Sequence, residues 1–419
     1  MNESCRKVVV TGMGAVTPFG VGVAPLWNGV SSGHSGIDWI KSLGDLDPEN
    51  YPVRYAGEVT DFDVDKLLAK HCEVRLEKSV QMGLVAAQQA LAQAGLLDDS
   101  ATLRGEANPI AVLGGSAQGA CHELELPYVA FFTHGPRAVR PTTVPKAMFN
   151  SLSSQLSIHF GLTGANHVIA SACTSGSAAI GLGTLFIRQR LADIVLCGGA
   201  EAPLTPVMFT CWTNMRVLAR HSDPQKALRP FDAKRNGLVL GEGAAMVVLE
   251  SQESAERRGV VPLARVVGYG TSSDAHHITS PTVIGQVAAM QNCLADAQLK
   301  PEQVDYINLH GTATKANDET EATAVAEVFG RRGNDMPSSS TKSMLGHSLG
   351  ASGAIEFAIC VEAMRLGFVP PTINCEEPDP NIGLDYVPLS GREHRVRLAM
   401  SNSFAFGGNN ACLLLGKDE

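Results

Sequence analysis

A chain of 419 residues, 44% hydrophobic and 18% charged, can bury a large core, and its length suggests two or three domains or one large duplicated unit. The net charge of −9, with no block of Lys or Arg, argues against nucleic acid as the main ligand. Ten cysteines lie scattered without a CxxC pair, several inside apolar runs, the usage of a reducing compartment and not of a disulfide framework or a metal site.

The N-terminus, Met1 to Lys7, is polar and leads straight into the apolar Val8-Val9-Val10, which ends in T-G-M-G. No signal peptide is expected ahead of that strand, and no apolar stretch reaches about 18 residues without polar breaks. A cytoplasmic protein without membrane contact is expected. A polar-faced helix follows near Glu77 to Gly95, then short strands at Ile110 to Gly114 and Val168 to Ala170, the latter read as buried. The small-residue helix Ser175 to Ile187 precedes a strand at Ile194 to Cys197, and Gly243 to Glu250 reads as the strand closing a first half.

The pattern then begins again. Ala264 to Gly268 is a strand, Val283 to Ala297 a helix, and Tyr306 to Leu309 a strand; a helix spans Ala351 to Leu366, and a last β pair covers Arg397 to Ser401 and Ala411 to Leu415. V-V-V-T-G-M-G near the start resembles R-V-V-G-Y-G at 265–270, and V-I-A-S-A-C-T-S-G-S-A-A resembles R-L-A-M-S-N-S-F-A-F-G-G. The reading is two α/β halves, 1–255 and 256–419, in one compact body whose loops meet at one cleft.

One cysteine stands out. Cys173 sits at the joint between the strand ending at Ala170 and the helix that follows, where free backbone N–H groups and the helix dipole favour a thiolate. Taken alone, it also fits a buried structural cysteine. Three later segments add polar groups at strand ends: His310 directly after an apolar strand, Lys342 and His347 in a Gly/Ser-rich approach to a helix that holds Glu356, and Phe404 and Phe406 before the turn Gly407-Gly408. Each alone admits a structural role. One Cys and two His at strand ends of a duplicated α/β chain fit nucleophilic catalysis better.

Six motifs in order then carry a resemblance: V-V-V-T-G-M-G-A-V-T-P-F-G, S-A-C-T-S-G, R-P-F-D-A-K-R-N-G-L-V-L-G-E-G-A, H-G-T-A-T, S-T-K-S-M-L-G-H and N-S-F-A-F-G-G. The chain resembles, nearly end to end, the β-ketoacyl synthase (3-oxoacyl-[acyl-carrier-protein] synthase) family of the thiolase-like superfamily, synthase 2 type. The resemblance implies an α-β-α-β-α layered body and an enzyme that condenses an acyl group on Cys173 with malonyl-[acyl-carrier protein]. By the same resemblance, backbone N–H groups of Cys173 and Phe406 form an oxyanion hole, and Phe404, Phe406, Gly407 and Gly408 form a gating turn. His310 and His347 bind the malonyl thioester carbonyl, while Lys342 orients the second histidine and pairs with Glu356. Thr312, Thr314, Thr279 and Ser280 contact the pantetheine arm. No cofactor is held by the enzyme, because phosphopantetheine arrives on the acyl carrier protein. Lys66, Lys70, Arg75, Lys78 and Arg216 are the candidate docking cations for that acidic partner. A homodimer is implied, or a heterodimer with a chain-length factor.

Some positions depart from the family pattern. Ala405 replaces a glycine, Asn409 a threonine, and Lys315 a frequent proline. Ala117 stands where a larger side chain commonly floors the acyl pocket, so the pocket is expected to be roomier. That opens a second reading, a ketosynthase of a specialised type II polyketide or aryl polyene pathway. A non-catalytic chain-length factor typically lacks the nucleophile, a degradative thiolase needs a second catalytic cysteine that Cys412 fits poorly, and a cysteine peptidase has no use for Lys342.

Overall fold

The computed structural model describes residues 6–69, 76–104 and 109–417. In the first half, β1 (Val8–Thr17) is followed by α1 (Lys78–Gln93), β2 (Ala111–Gly115), α2 (His122–His134), β3 (Asn166–Ile169), α3 (Ser175–Arg188), β4 (Ile194–Glu201) and β5 (Gly243–Ser251). In the second, β6 (Ala264–Ser273) leads to α4 (Val283–Ala297), β7 (Tyr306–Asn308), α5 (Lys315–Phe329), β8 (Ser338–Ser339), α6 (Ser352–Leu366), β9 (Leu398–Phe404) and β10 (Asn409–Gly416).

The strands form one continuous path, β8-β7-β9-β10-β6-β1-β5-β4-β2-β3, in which β1 and β6 pair antiparallel at the centre. Outward from that seam both halves repeat the same pairings. β1–β5 and β5–β4 are antiparallel, as are β6–β10 and β10–β9. β4–β2 and β2–β3 are parallel, as are β9–β7 and β7–β8. The duplication read from the sequence is thus a duplication of topology. α3 and α6 pack against each other and against strands of both halves, while α1 covers β1 and β5, and α4 covers β6 and β10, from outside.

The first repeated motif has a packing cause. A Cβ on Gly12 or Gly14 would lie 2.0 Å from a backbone oxygen of α1, and one on Gly268 or Gly270 within 2.5 Å of a backbone oxygen of α4. Each Gly-x-Gly stripe lets a helix backbone rest on a strand. The second proposed echo is corrected. The Cys173 segment follows β3, whose counterpart is β8, so its structural equivalent is the stretch running through Lys342 to His347. The 397–408 segment belongs to β9, the counterpart of β4.

Two other expectations change. The polar face of α1 is narrow, Lys78, Gln81, Gln88, Gln89 and Gln93: most of the helix is buried, and Gln89 and Gln93 use their side-chain carbonyls to accept the N–H groups of Ala15 and Met13. β3 is half-buried, not buried, because it ends the strand path with β2 as its one neighbour. No helix among the described residues is long and apolar enough to cross a membrane.

Candidate active site

β3, β7, β8 and β9 run parallel within their halves, and the segments leaving their C-terminal ends carry the residues singled out above. After β3, one 3-10 turn, Ala172–Thr174, precedes α3. Ala172 has φ +51°, a left-handed conformation that strains an L residue. Hydroxyls hold the turn: Ser175 Oγ donates to the Ala172 carbonyl at 2.7 Å and accepts the Ser171 N–H at 3.0 Å, while Thr174 Oγ1 donates to the Ser171 carbonyl at 2.7 Å. Cys173 is buried by this turn, with the backbone N–H groups of Phe406 and of Cys173 itself directed at its sulfur. The expectation of a ready thiolate is not met. Burial pushes the thiol up to about 12, against the opposing pull of the Lys342 charge and those two N–H groups.

His347 Nε2 lies 3.1 Å from Cys173 Sγ, and His347 Nδ1 lies 3.0 Å from Ser352 Oγ. The His310 ring stands edge-on to that of His347, with centroids 5.4 Å apart, and 6.0 Å from the ring of Phe404. Burial holds both imidazoles well below their usual range, and the Lys342 charge adds to it, so both are neutral near pH 7.

The partner of Lys342 differs from expectation. Its Nζ lies 3.3 Å from Nδ1 of His310, the first histidine and not the second, and 2.5 Å from Glu356 Oε1. The cause is strand pairing: β7 and β8 are neighbours, so His310 and Lys342 leave the same end of adjacent strands. A protonated Lys342 donating to Nδ1 fixes the His310 proton on Nε2, toward the cleft. Burial raises the Glu356 carboxyl to about 7, opposed by Lys342.

Two buried carboxylates escaped the sequence reading. Glu321 on α5 accepts the backbone N–H groups of His310 and Gly311, both at 2.8 Å, and so anchors the loop that presents His310. Glu201, the last residue of β4, accepts from Ala117 N–H at 2.6 Å and Gly350 N–H at 3.1 Å, joining the Ala117 loop to the turn that follows His347. In sequence the first looks like a solvated helical acid. The second gave a signal, a charge ending the apolar run I-V-L-C-G-G-A-E.

Cys173, His310 and His347 open onto one cleft, which Thr279, Ser280, Thr312, Thr314, Phe404, Phe406 and Gly408 also line. Thr312 and Thr314 share a hydroxyl hydrogen bond of 2.9 Å. Phe406 stacks on Trp212, and Gly407 (φ +82°) donates its N–H to the Ile278 carbonyl at 2.7 Å. Trp212, Ile278 and His277 on the cleft wall were not anticipated. Ala405 is extended (φ −136°, ψ 156°), so its methyl is tolerated in this conformation.

Ala117 does not line the cleft. It packs behind it, against the apolar cluster that contains Cys173, Leu204, Phe209 and Trp212. The docking candidates separate. Lys66 is exposed and pairs with Asp63, and Lys78 is committed to the buried Glu242 instead of standing free. Arg216 is exposed, whereas Lys70 and Arg75 lie outside the described residues.

Comparison with known proteins fits this geometry. The N-terminal domain of beta-ketoacyl synthases matches residues 5–255 and the C-terminal domain matches residues 263–376. The 3-oxoacyl-[acyl-carrier-protein] synthase 2 of Coxiella burnetii is 40% identical over 415 residues, covering 98% of this chain and 99% of that one. Its namesake from Synechocystis is 40% identical over 419 residues, covering 99% of each. Among solved structures, the ishigamide ketosynthase/chain length factor aligns with a TM-score of 0.90 at 35% identity, covering 99% of this chain and 100% of that one. A type II PKS acyl-carrier protein in complex with its ketosynthase bound to the hexaketide aligns at 0.87 with 29% identity and the same coverage. The duplicated fold and these relatives define an acyl-transferring condensing enzyme. The chain belongs to the beta-ketoacyl synthase family.

Proposed function

We propose that the chain condenses an acyl group held on Cys173 with malonyl-[acyl-carrier protein], giving 3-oxoacyl-[acyl-carrier protein], CO2 and free carrier protein in fatty-acid elongation. The observation that carries this is the neutral His347 imidazole 3.1 Å from the buried Cys173 sulfur, with a second neutral imidazole, His310, beside it.

Cys173 Sγ attacks the acyl thioester of the carrier. The new Sγ–C bond replaces the pantetheine C–S bond, and the thiol proton ends on the departing pantetheine sulfur. The tetrahedral oxygen receives the N–H groups of Cys173 and Phe406, a contribution of about 3–4 kcal/mol per donor. Malonyl carrier protein then enters, and its thioester oxygen accepts Nε2–H from both histidines. The bond to the carboxylate breaks, CO2 leaves, and the electron pair forms the enolate that these donors stabilise. The enolate carbon attacks the acyl carbonyl, and Sγ leaves as thiolate and takes up one proton from solvent, the proton that the decarboxylative cycle consumes. Lys342 keeps the His310 proton on Nε2, and the Ser352 hydroxyl, donating to Nδ1, does the same for His347.

Thr312, Thr314, Thr279 and Ser280 contact the pantetheine arm, and Lys66, Lys70, Arg75 and Arg216 attract the acidic carrier. The enzyme works in the cytoplasm as a homodimer. The homodimer is supported by the exposed apolar face of α2, where Phe132 is 80% accessible, and by the outer edge of β3, which has no strand partner among the described residues. Light scattering tests it, and a stable, active monomer at micromolar concentration contradicts it.

A second reading is favoured by the two polyketide-type structural relatives and by the small Ala117: a ketosynthase of a specialised type II polyketide or aryl polyene pathway, paired with a chain-length-factor-like partner. The mass of the acyl group trapped on Cys173 in cells separates the two. For condensation itself, Cys173→Ala abolishes product, while Cys173→Gln loses condensation and still releases CO2 from malonyl carrier protein. Full condensation by either variant overturns the assignment.

A further inference from the structure

We infer that Lys315 and Arg216 form a phosphodiester-binding subsite at the mouth of the catalytic cleft, one that receives the phosphate of the carrier's phosphopantetheine arm. The inference rests on the condensing reaction proposed above. A second groove adjoins the cleft and shares Thr314 and Ala316 with it, and its walls carry Arg216, Lys234, Arg235 and Lys315. Two of these four cations are already committed. Lys234 pairs with Glu377, and the buried Arg235 is surrounded by Asp318, Glu319 and Asp379. Arg216 and Lys315 are exposed, with no acid partner among the described residues. Among the described residues they are positive charge without a paired acid.

Their backbones are set by local structure. Lys315 opens α5, with Thr314 as the N-cap whose hydroxyl accepts the Asn317 N–H, so the start of a 15-residue helix, Thr314 to Ala316, lines the same groove mouth. Arg216 is held at φ +59° just past the helix Pro206–Asn214, its N–H donated to the Thr213 carbonyl at 3.1 Å. The chemistry follows from the order of groups along the arm. Its thiol must reach Cys173, its amides run past Thr312 and Thr314, and its anionic end comes next. The first cations met beyond Thr314 are the two that lack partners.

The test follows acylation of Cys173 by intact-protein mass spectrometry, with butanoyl-pantetheine and butanoyl-phosphopantetheine as paired donors. Wild type, Lys315→Ala, Lys315→Glu and Arg216→Ala are compared. Wild type is expected to react about five- to tenfold faster with the phosphorylated donor at low ionic strength, and added salt should collapse that ratio. The ratio moves toward one in either alanine variant and falls further in Lys315→Glu. A wild-type ratio of one, or a ratio unchanged in all three variants, overturns the subsite. So does a loss confined to transfer from butanoyl carrier protein, run as a third donor, which leaves both cations to protein docking alone. Failure of both donors to acylate wild-type Cys173 strikes instead at the condensing reading.

Discussion

His310 and Lys342 leave the same end of two paired parallel strands, β7 and β8, and their side chains meet with Lys342 Nζ 3.3 Å from His310 Nδ1. The contact gives Lys342 two electrostatic effects of opposite consequence. After burial itself, its charge is the next cause holding His310 low, and it is the leading influence pulling the Cys173 thiol down. In Lys342→Ala the His310 pKa therefore rises, and the acid limb of malonyl decarboxylation moves to higher pH. The Cys173 pKa also rises, and alkylation by iodoacetamide at pH 8 slows several-fold. Leaving Glu356 buried without its partner costs roughly 3–5 kcal/mol, so Lys342→Ala/Glu356→Gln is the companion variant that keeps the pocket neutral. An unshifted pH limb and an unchanged alkylation rate in both variants contradict the role given to Lys342.

Glu77 yields a stability prediction with a definite sign. Burial raises its carboxyl to about 8, with the nearby Glu201 and Glu242 charges adding to the rise. The folded protein thus keeps a proton that the unfolded chain releases above the ordinary carboxylate range. Stability drawn from this group is full below about pH 4.5 and is lost as pH rises to about 8, on the order of several kcal/mol in total. Glu77→Gln resembles the protonated acid. The variant should match wild type near pH 4.5 and melt at a higher temperature at pH 8, as followed by circular dichroism. A melting difference that does not change with pH refutes the sign.

The parts of this account that were legible in the sequence are local ones. Cys173, His310 and His347 each follow an apolar strand or a Gly/Ser-rich turn, and the helix Val283–Ala297 falls where its pattern puts it. What escaped depends on which strands lie side by side. Sequence distance does not reveal that β7 pairs with β8, which is what brings Lys342 to His310 and not to His347. The Cys173 segment was matched to the wrong repeat partner for the same reason. The thiolate expectation counted the helix N-terminus and omitted burial, which outweighs it. Val168 and Ile169 read as core because they are apolar, yet they sit at the end of the strand path. Glu321 is invisible in another sense: a carboxylate that accepts backbone N–H groups has the same letter as one in water.

Ala117 packs against the apolar cluster that holds Cys173, so volume added there should act on the acyl chain that Cys173 carries. Ala117→Ile and Ala117→Phe are expected to shorten the longest group transferred to Cys173. Competition between tail and side chain for one volume costs roughly 1–3 kcal/mol, about ten- to a hundredfold in rate for long chains and little for short ones. A chain-length profile of acyl transfer is the measurement. A profile identical to wild type removes Ala117 from the substrate pocket.

The central claim is a division of labour, with Cys173 carrying the acyl group and the two histidines releasing CO2. Its most direct test measures both steps in His310→Ala and His347→Ala. Intact-protein mass spectrometry reads the acyl group on Cys173, and a decarboxylation assay with malonyl carrier protein reads the second step. The account predicts acylated protein in both variants, with CO2 release reduced about a hundredfold or more for loss of one enolate donor. Decarboxylation at the wild-type rate in both variants contradicts it.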